Sequence, residues 1–254
     1  MSRLTLFYIA AAVAGAIFLL GVATNLTFWL SGVPSGERGR RLRGFLGFTF
    51  RPRGLWLLFS QGLLQAHLFR ESRLRWAMSV ALAWGAMELF FVGSLGNTGQ
   101  EYGLFSLSKD EPWFALVNDI GGAMLLLGVL LAALRRYVLR ERQLPFAWDD
   151  GIVLAWLAVA GVSGFLAEAG RLLAQGAAGG AAGYSFMGNT LARGLEGLGA
   201  TGAAEPYLWW AHAGVSLGLL AYLPYSKLFH IFLGPLSLLA RGRGLASKED
   251  YVLS

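Results

Sequence analysis

Apolar residues fall in long runs along this chain, and most charged residues are confined to the gaps between them. Four runs, over residues 4–30, 74–96, 113–134 and 151–173, are each long enough at ~1.5 Å per residue to cross a ~30 Å hydrocarbon core. A fifth covers residues 207–238. Between the first two runs, residues 55–70 are too short and too polar for a confident span. Their Gln61, Gln65 and His67 gather on one stripe, which predicts an amphipathic helix lying in the membrane surface. Residues 32–54 form a basic loop, and residues 175–204 a Gly/Ala-rich connection without strong periodicity. The predicted fold is an all-α integral membrane protein. It is a bundle of five transmembrane helices with an interfacial helix between helices 1 and 2, and residues 1–254 form a single membrane domain without repeats.

Composition agrees with that pattern. Only 14% of residues are charged and 56% are hydrophobic, with a mean hydropathy of +0.53, whereas a soluble domain carries about a quarter charged residues. There is no cysteine, which excludes disulfides, thiolate metal sites and iron–sulfur clusters held by this chain. Any cluster must sit in a partner. The net charge of +6 comes mostly from loop arginines, so nucleic acid is not an implied partner. The start, MSRLTLF, lacks a small-residue cleavage site before its apolar run, so it reads as a membrane helix rather than a removed signal. Trp29, Trp76, Trp113, Trp209 and Trp210 read as interfacial anchors.

Basic residues fix an expected orientation. Sixteen lysines and arginines fall in the connection between helices 1 and 2, the loop between helices 3 and 4, and the C-terminal tail, against Arg3, Lys109 and Arg193 on the other side. The positive-inside rule then puts the N-terminus outside and the C-terminus in the cytoplasm, with the protein multi-pass in the inner membrane of a prokaryote.

Charged groups inside a membrane are costly and mark sites by default. Glu88 on helix 2 lies about 21 Å above that helix's inner end, and Asp119 on helix 3 about 9 Å below the outer end. Glu168 and Arg171 on helix 4 are three residues apart, so they can share a face and pair. With His212 of helix 5 they form one outer layer drawn from four helices. A carboxylate in a partly dry site can take a proton from a quinol, which makes Glu88, Asp119, Glu168 and Arg171 candidates for quinone binding and proton transfer. Interhelical salt bridging near the headgroups is the alternative.

His212 and His230 stand 18 residues apart, five turns of a continuous helix and roughly 27 Å along its axis. That spacing puts both imidazoles on one side, one near each membrane face, as a helix serving two stacked haems requires. Hydrogen bonding to a neighbouring helix is the alternative for His212. Lys227, one turn before His230, suits a haem propionate or a lipid phosphate equally.

The segment Pro224–His230 (PYSKLFH), with the histidine of WWAH 18 residues before it, resembles the last membrane helix of the respiratory nitrate reductase gamma subunit. It is closer still to the cytochrome b subunits of heterodisulfide-reductase-like and sulfite-reductase-linked complexes. Arg75–Gly85 (RWAMSVALAWG) and Gly164–Ala174 (GFLAEAGRLLA) are similar to the family's second and fourth helices, and the likeness covers most of the chain. The resemblance implies b-type haem, between none and two, ligated by His212 and His230. It also implies exchange of electrons with menaquinone or ubiquinone and an iron–sulfur subunit on the cytoplasmic side, with lipids as further partners. Where the family carries helix 2 ligands, this chain has Ser79, and Glu88 and Leu89. His67, Met78 and Met87 are the remaining candidate donors, but a solvated or headgroup-facing His67 and methionines that simply pack are the preferred readings.

The function expected is therefore the membrane subunit of a quinone-linked respiratory oxidoreductase complex, not a complete enzyme by itself. A haem-poor or haem-free anchor of such a complex is the alternative. A transporter is weaker, because the chain lacks paired broken helices and an inverted repeat.

Overall fold

The computed structural model describes residues 2–31, 34–96, 111–139, 148–176, 183–226 and 229, and the described residues contain helices and turns but no strand. The principal helices are α1 (Arg3–Ser31), α2 (Ser35–Thr49), α3 (Pro52–Leu57), α4 (Ala66–Glu71), α5 (Arg73–Glu88), α6 (Pro112–Ala133), α7 (Trp148–Ala174), α8 (Phe186–Gly197) and α9 (Glu205–Tyr222). Wider π-type turns extend α3 over Leu58–Leu63, α5 over Leu89–Gly96 and α6 over Leu134–Val138. Among the described residues, four segments are long and apolar enough to cross a membrane: Arg3–Phe28, Arg73–Gly93, Pro112–Val138 and Asp150–Ala174.

By packing, the chain divides into two compact units. One comprises Met1–Trp76 with Leu220–Ser254, and the other Ala77–Leu219. In the first unit, α1 is tied to a 3-10 turn at Leu223–Tyr225. Asn25 donates its side-chain amide to the Pro224 carbonyl at 2.9 Å, and the Tyr225 hydroxyl donates to the Ile17 carbonyl at 3.2 Å. The helix expected over residues 207–238 is not continuous through this turn. Proline has no N–H for the helical ladder and its ring crowds the carbonyl four residues back, so α9 ends at Tyr222 and Ser226 is extended.

Two further expectations change in the same unit. The basic loop contains a helix, α2, whose Phe45 is buried against Phe48, Leu57 and Leu58. The helix expected over residues 55–70 is broken at Gln65, which adopts a left-handed conformation with φ 49°.

The second unit is built on close antiparallel crossings. Side-chain bulk at Gly85 of α5 would meet the backbone of Gly121 and Leu125 on α6 at 2.5–2.7 Å. Likewise, a β-carbon at Gly122 would meet the Phe165 ring at 2.7 Å. Small residues let helix backbones approach in this way, which drives packing where lipid supplies no hydrophobic force between helices. At one end, Arg136 and Asp150 pair at 2.7 Å and join α6 to α7. At the other, α7 packs on α8 through the buried residues Ala169, Leu172 and Ala192. The latter helix lies in the connection the sequence reads as aperiodic. It stops at Gly199, whose φ of 83° allows the Ala200 N–H to reach back to the Leu195 carbonyl at 2.9 Å.

Candidate functional site

All described candidate residues except His67 lie in the second unit, where the antiparallel register brings four helices to one level. Facing α6, Glu88 of α5 has its carboxylate directly against Gly121. Two residues before that glycine, Asp119 is buried at 3% exposure. Across from α6, Glu168 of α7 is near enough to Asp119 for the two charges to repel. His212 of α9 touches α7 at Gly164, one helical turn below Glu168.

Asp119 holds the start of α8. Its carboxylate accepts the Met187 N–H at 2.6 Å and also bonds the Gly188 N–H. Ser185 stands at the N-cap position of α8 but makes no side-chain cap bond there. Its hydroxyl instead donates to Glu168 at 3.1 Å, so a carboxylate from another helix satisfies the exposed amides of the first turn.

Glu168 and Arg171 form the pair their spacing predicts, in bidentate geometry. Nε donates to one carboxylate oxygen at 2.9 Å and Nη2 to the other at 2.8 Å, with 18% and 24% of the arginine and glutamate side chains exposed. A third contact, from Arg171 Nη1 to Gln175 at 3.0 Å, fixes the guanidinium further. Gly188 closes over the Glu168 stem, since a β-carbon there would stand 2.6 Å from Cγ.

Glu88 differs from both acids. Its two carboxylate oxygens are buried and have no hydrogen-bond partner among the described residues. It also ends the α-helical part of α5, where the ladder widens into the π-type turn of Leu89–Gly96. Such turns recur at functional sites.

His212 Nδ1 lies 3.1 Å from the Ser163 hydroxyl, and Ser216 Oγ lies 3.5 Å from both ring nitrogens. Anchoring an imidazole nitrogen orients the ring. The described residues contain no group of three or more metal-ligating side chains, and His67 is exposed on α4 in the other unit. Ser79, Met78 and Met87 are half-buried on α5. His230 and Lys227 lie outside the described residues. Among the described residues of the second unit, His212 is the one histidine.

Sequence reasoning missed Ser185, Met187, Gly188 and Ser163, the groups that position the candidates. Two of them act through backbone amides, which carry no mark in a sequence.

Comparison with known proteins places the chain among oxidoreductase subunits. It is 27% identical to a subunit of the dihydromethanophenazine:CoB–CoM heterodisulfide reductase of Methanosarcina mazei, over 93% of this chain and 92% of that protein. The corresponding protein of Methanosarcina thermophila is 28% identical, over 93% and 91%. An EtfAB:quinone oxidoreductase of Syntrophomonas wolfei is 23% identical over 89% of this chain, which spans 32% of that longer protein. No family model matches, and no solved structure matches. Together with the four apolar helices, these likenesses support a membrane electron-transfer subunit of an oxidoreductase complex. They are not specific to the nitrate reductase gamma subunit.

Proposed function

We propose that this chain is the membrane subunit through which an oxidoreductase complex exchanges electrons with a lipid-soluble carrier of the quinone class, menaquinone or ubiquinone. The single observation that carries the reading is Glu88, a buried carboxylate without a hydrogen-bond donor among the described residues, packed on α6 at Gly121, two residues along from the Asp119 that faces Glu168. A quinol hydroxyl is a donor of the kind Glu88 lacks. Oxidation of the quinol to quinone releases two electrons and two protons. The protons would pass to Glu88 and to the Asp119 and Glu168 carboxylates, and the electrons to an iron–sulfur partner on the cytoplasmic face. The reverse flow uses the same groups. Arg171, oriented by Glu168, would contact a carrier carbonyl.

The names of the relatives support this assignment, since they pair those proteins with dihydromethanophenazine or with quinone. That the first is one subunit of a reductase supports partners in general, and the absence of cysteine here means that any cluster is theirs. Haem b at His212, with a further haem at His230 and Lys227 near its propionate or a lipid phosphate, belongs to the same proposal. When bound, haem supplies one-electron transfer, while Ser163 and Gly164 fix the position of the His212 ring. Ser79, standing where the resemblance implies a helix 2 ligand, favours a variant reading, a haem-poor or haem-free anchor that still binds the carrier.

A reduced-minus-oxidised visible spectrum of the purified complex, with quinol-dependent reduction of the partner, tests both. A b-type α band that His212→Ala removes supports haem at this position. No band with intact quinol-dependent reduction supports the haem-free variant. A folded, assembled complex that neither binds nor oxidises a quinol overturns the proposal.

A further inference from the structure

The first unit carries a site that the electron-transfer reading does not use. A cavity of about 520 Å³ is lined by Arg40, Arg43, Gly44, Gly47, Phe48 and Arg51. The lining residues recur at helical spacing along α2 and into the start of α3, so three guanidinium groups share one cleft. The glycines keep its floor open, and a β-carbon at Gly47 would meet nothing within 4 Å.

The charges in the cleft are poorly neutralised. Arg40 pairs with Glu37 at 3.1 Å, but its side chain is 76% exposed, and exposed pairs contribute little. Arg43 bonds the Gly39 carbonyl through Nε at 3.3 Å, leaving its terminal nitrogens available. Neither Arg43 nor Arg51 has an ion-pair partner among the described residues. Three guanidinium forks around one opening match the oxygens of a phosphodiester.

What surrounds the cleft decides the source of that phosphodiester. Phe45 turns inward to the small core of α2 and α3, whereas Leu46, Phe50, Leu55 and Trp56 are exposed, Phe50 at 75% and Trp56 at 63%. A soluble acidic partner would satisfy the arginines and leave these side chains in water. A bilayer satisfies both, since tryptophan and other large apolar groups settle at the headgroup level while basic residues hold the phosphates. We propose that the α2–α3 cleft binds the headgroup of an anionic phospholipid, with Phe50 and Trp56 inserted beside it.

The full chain in mild detergent, offered phosphatidylglycerol or phosphatidylcholine of the same acyl composition and followed by native mass spectrometry, provides the test. The expected result is selective retention of phosphatidylglycerol. Each basic side chain near an anionic headgroup changes affinity about fivefold, so replacing Arg40, Arg43 and Arg51 with Gln should weaken binding on the order of 100-fold. Their joint replacement with Lys keeps the charge but removes the forks, and should bind between the wild type and the Gln variant. Helicity and monodispersity of both triple variants establish that they are folded. Equal retention of the two lipids, or selectivity unchanged in the folded Gln variant, overturns the proposal. So does displacement of the lipid by millimolar inorganic phosphate, which would mark a free-anion site.

Discussion

Asp119 on α6 holds the start of α8 from across the bundle, accepting the Met187 N–H at 2.6 Å over a sequence separation of 68 residues. Ser185, placed where a capping hydroxyl belongs, turns to Glu168 instead. The two carboxylates therefore divide the work, one anchoring the backbone of α8 and the other the serine at its N-cap position. A charge-assisted hydrogen bond in a buried setting contributes about 1.5–3 kcal/mol. Asp119→Ala should destabilise the protein by roughly 2 kcal/mol and expose residues 183–197 to proteolysis. Asp119→Asn keeps an acceptor and should cost less than half as much. Equal protease protection in wild type and Asp119→Ala would show that the cap is dispensable.

The Glu168–Arg171 pair separates a structural role from a chemical one. Removing one partner of a buried pair costs about 3–5 kcal/mol, and partial exposure here, 18% and 24%, reduces that to roughly 2–3 kcal/mol. Arg171→Ala should show a loss of this size in chemical denaturation. The double replacement Glu168→Gln with Arg171→Met leaves no uncompensated charge and should recover most of the stability and assemble. If the pair serves a quinol, this assembled variant loses quinol-dependent electron transfer. Turnover near wild type in it would confine the pair to holding α7 and α8 together.

How much of the fold and the site is legible in the sequence depends on what each element is made of. Helices α1, α5, α6 and α7 are visible because, in a chain this poor in charge, uninterrupted apolar runs of that length are accommodated by crossing lipid. The Glu168–Arg171 pair is visible because three residues bring two side chains to one helix face. By contrast, α8 hides among glycines and alanines. Its signal is Leu191, Ala192 and Leu195 facing the buried side with Arg193 and Glu196 turned outward, a short amphipathic pattern inside a stretch whose composition suggests a loop. The end of α9 is written at Pro224, but the apolar run continues past it and masks the break. Contacts such as Asp119 with Met187 and His212 with Ser163 depend on which helices become neighbours, and no local pattern encodes that.

Orientation follows from charge alone and can be tested alone. Sixteen basic residues on one side against three on the other predict that a reporter fused after Ser254 is cytoplasmic. A reporter inserted near Gly180 should be external. Finding both on the same side would remove the five-span topology and the inner and outer assignments made from it. The same experiment locates Arg40, Arg43 and Arg51, which should lie on the cytoplasmic face, where anionic lipid gives the surface its negative potential.

Glu88 and Gly121 offer a direct measure of how tightly the unpartnered acid is held. The carboxylate lies where a Gly121 side chain would have to go, and Gly85 beside it already brings the α6 backbone within 2.5–2.7 Å of a β-carbon position. Neither helix can retreat without opening this crossing. Gly121→Ala should therefore overpack the site and destabilise by about 1–3 kcal/mol. In a Glu88→Ala background the added methyl meets space where the carboxylate stood, so the same change should cost much less. The coupling between the two positions should exceed about 0.5 kcal/mol, the threshold for residues in contact. Additive effects across the cycle would mean that Glu88 does not occupy the groove at Gly121. The carboxylate would then face another part of the bundle, and its proposed part in taking a quinol proton would go with it.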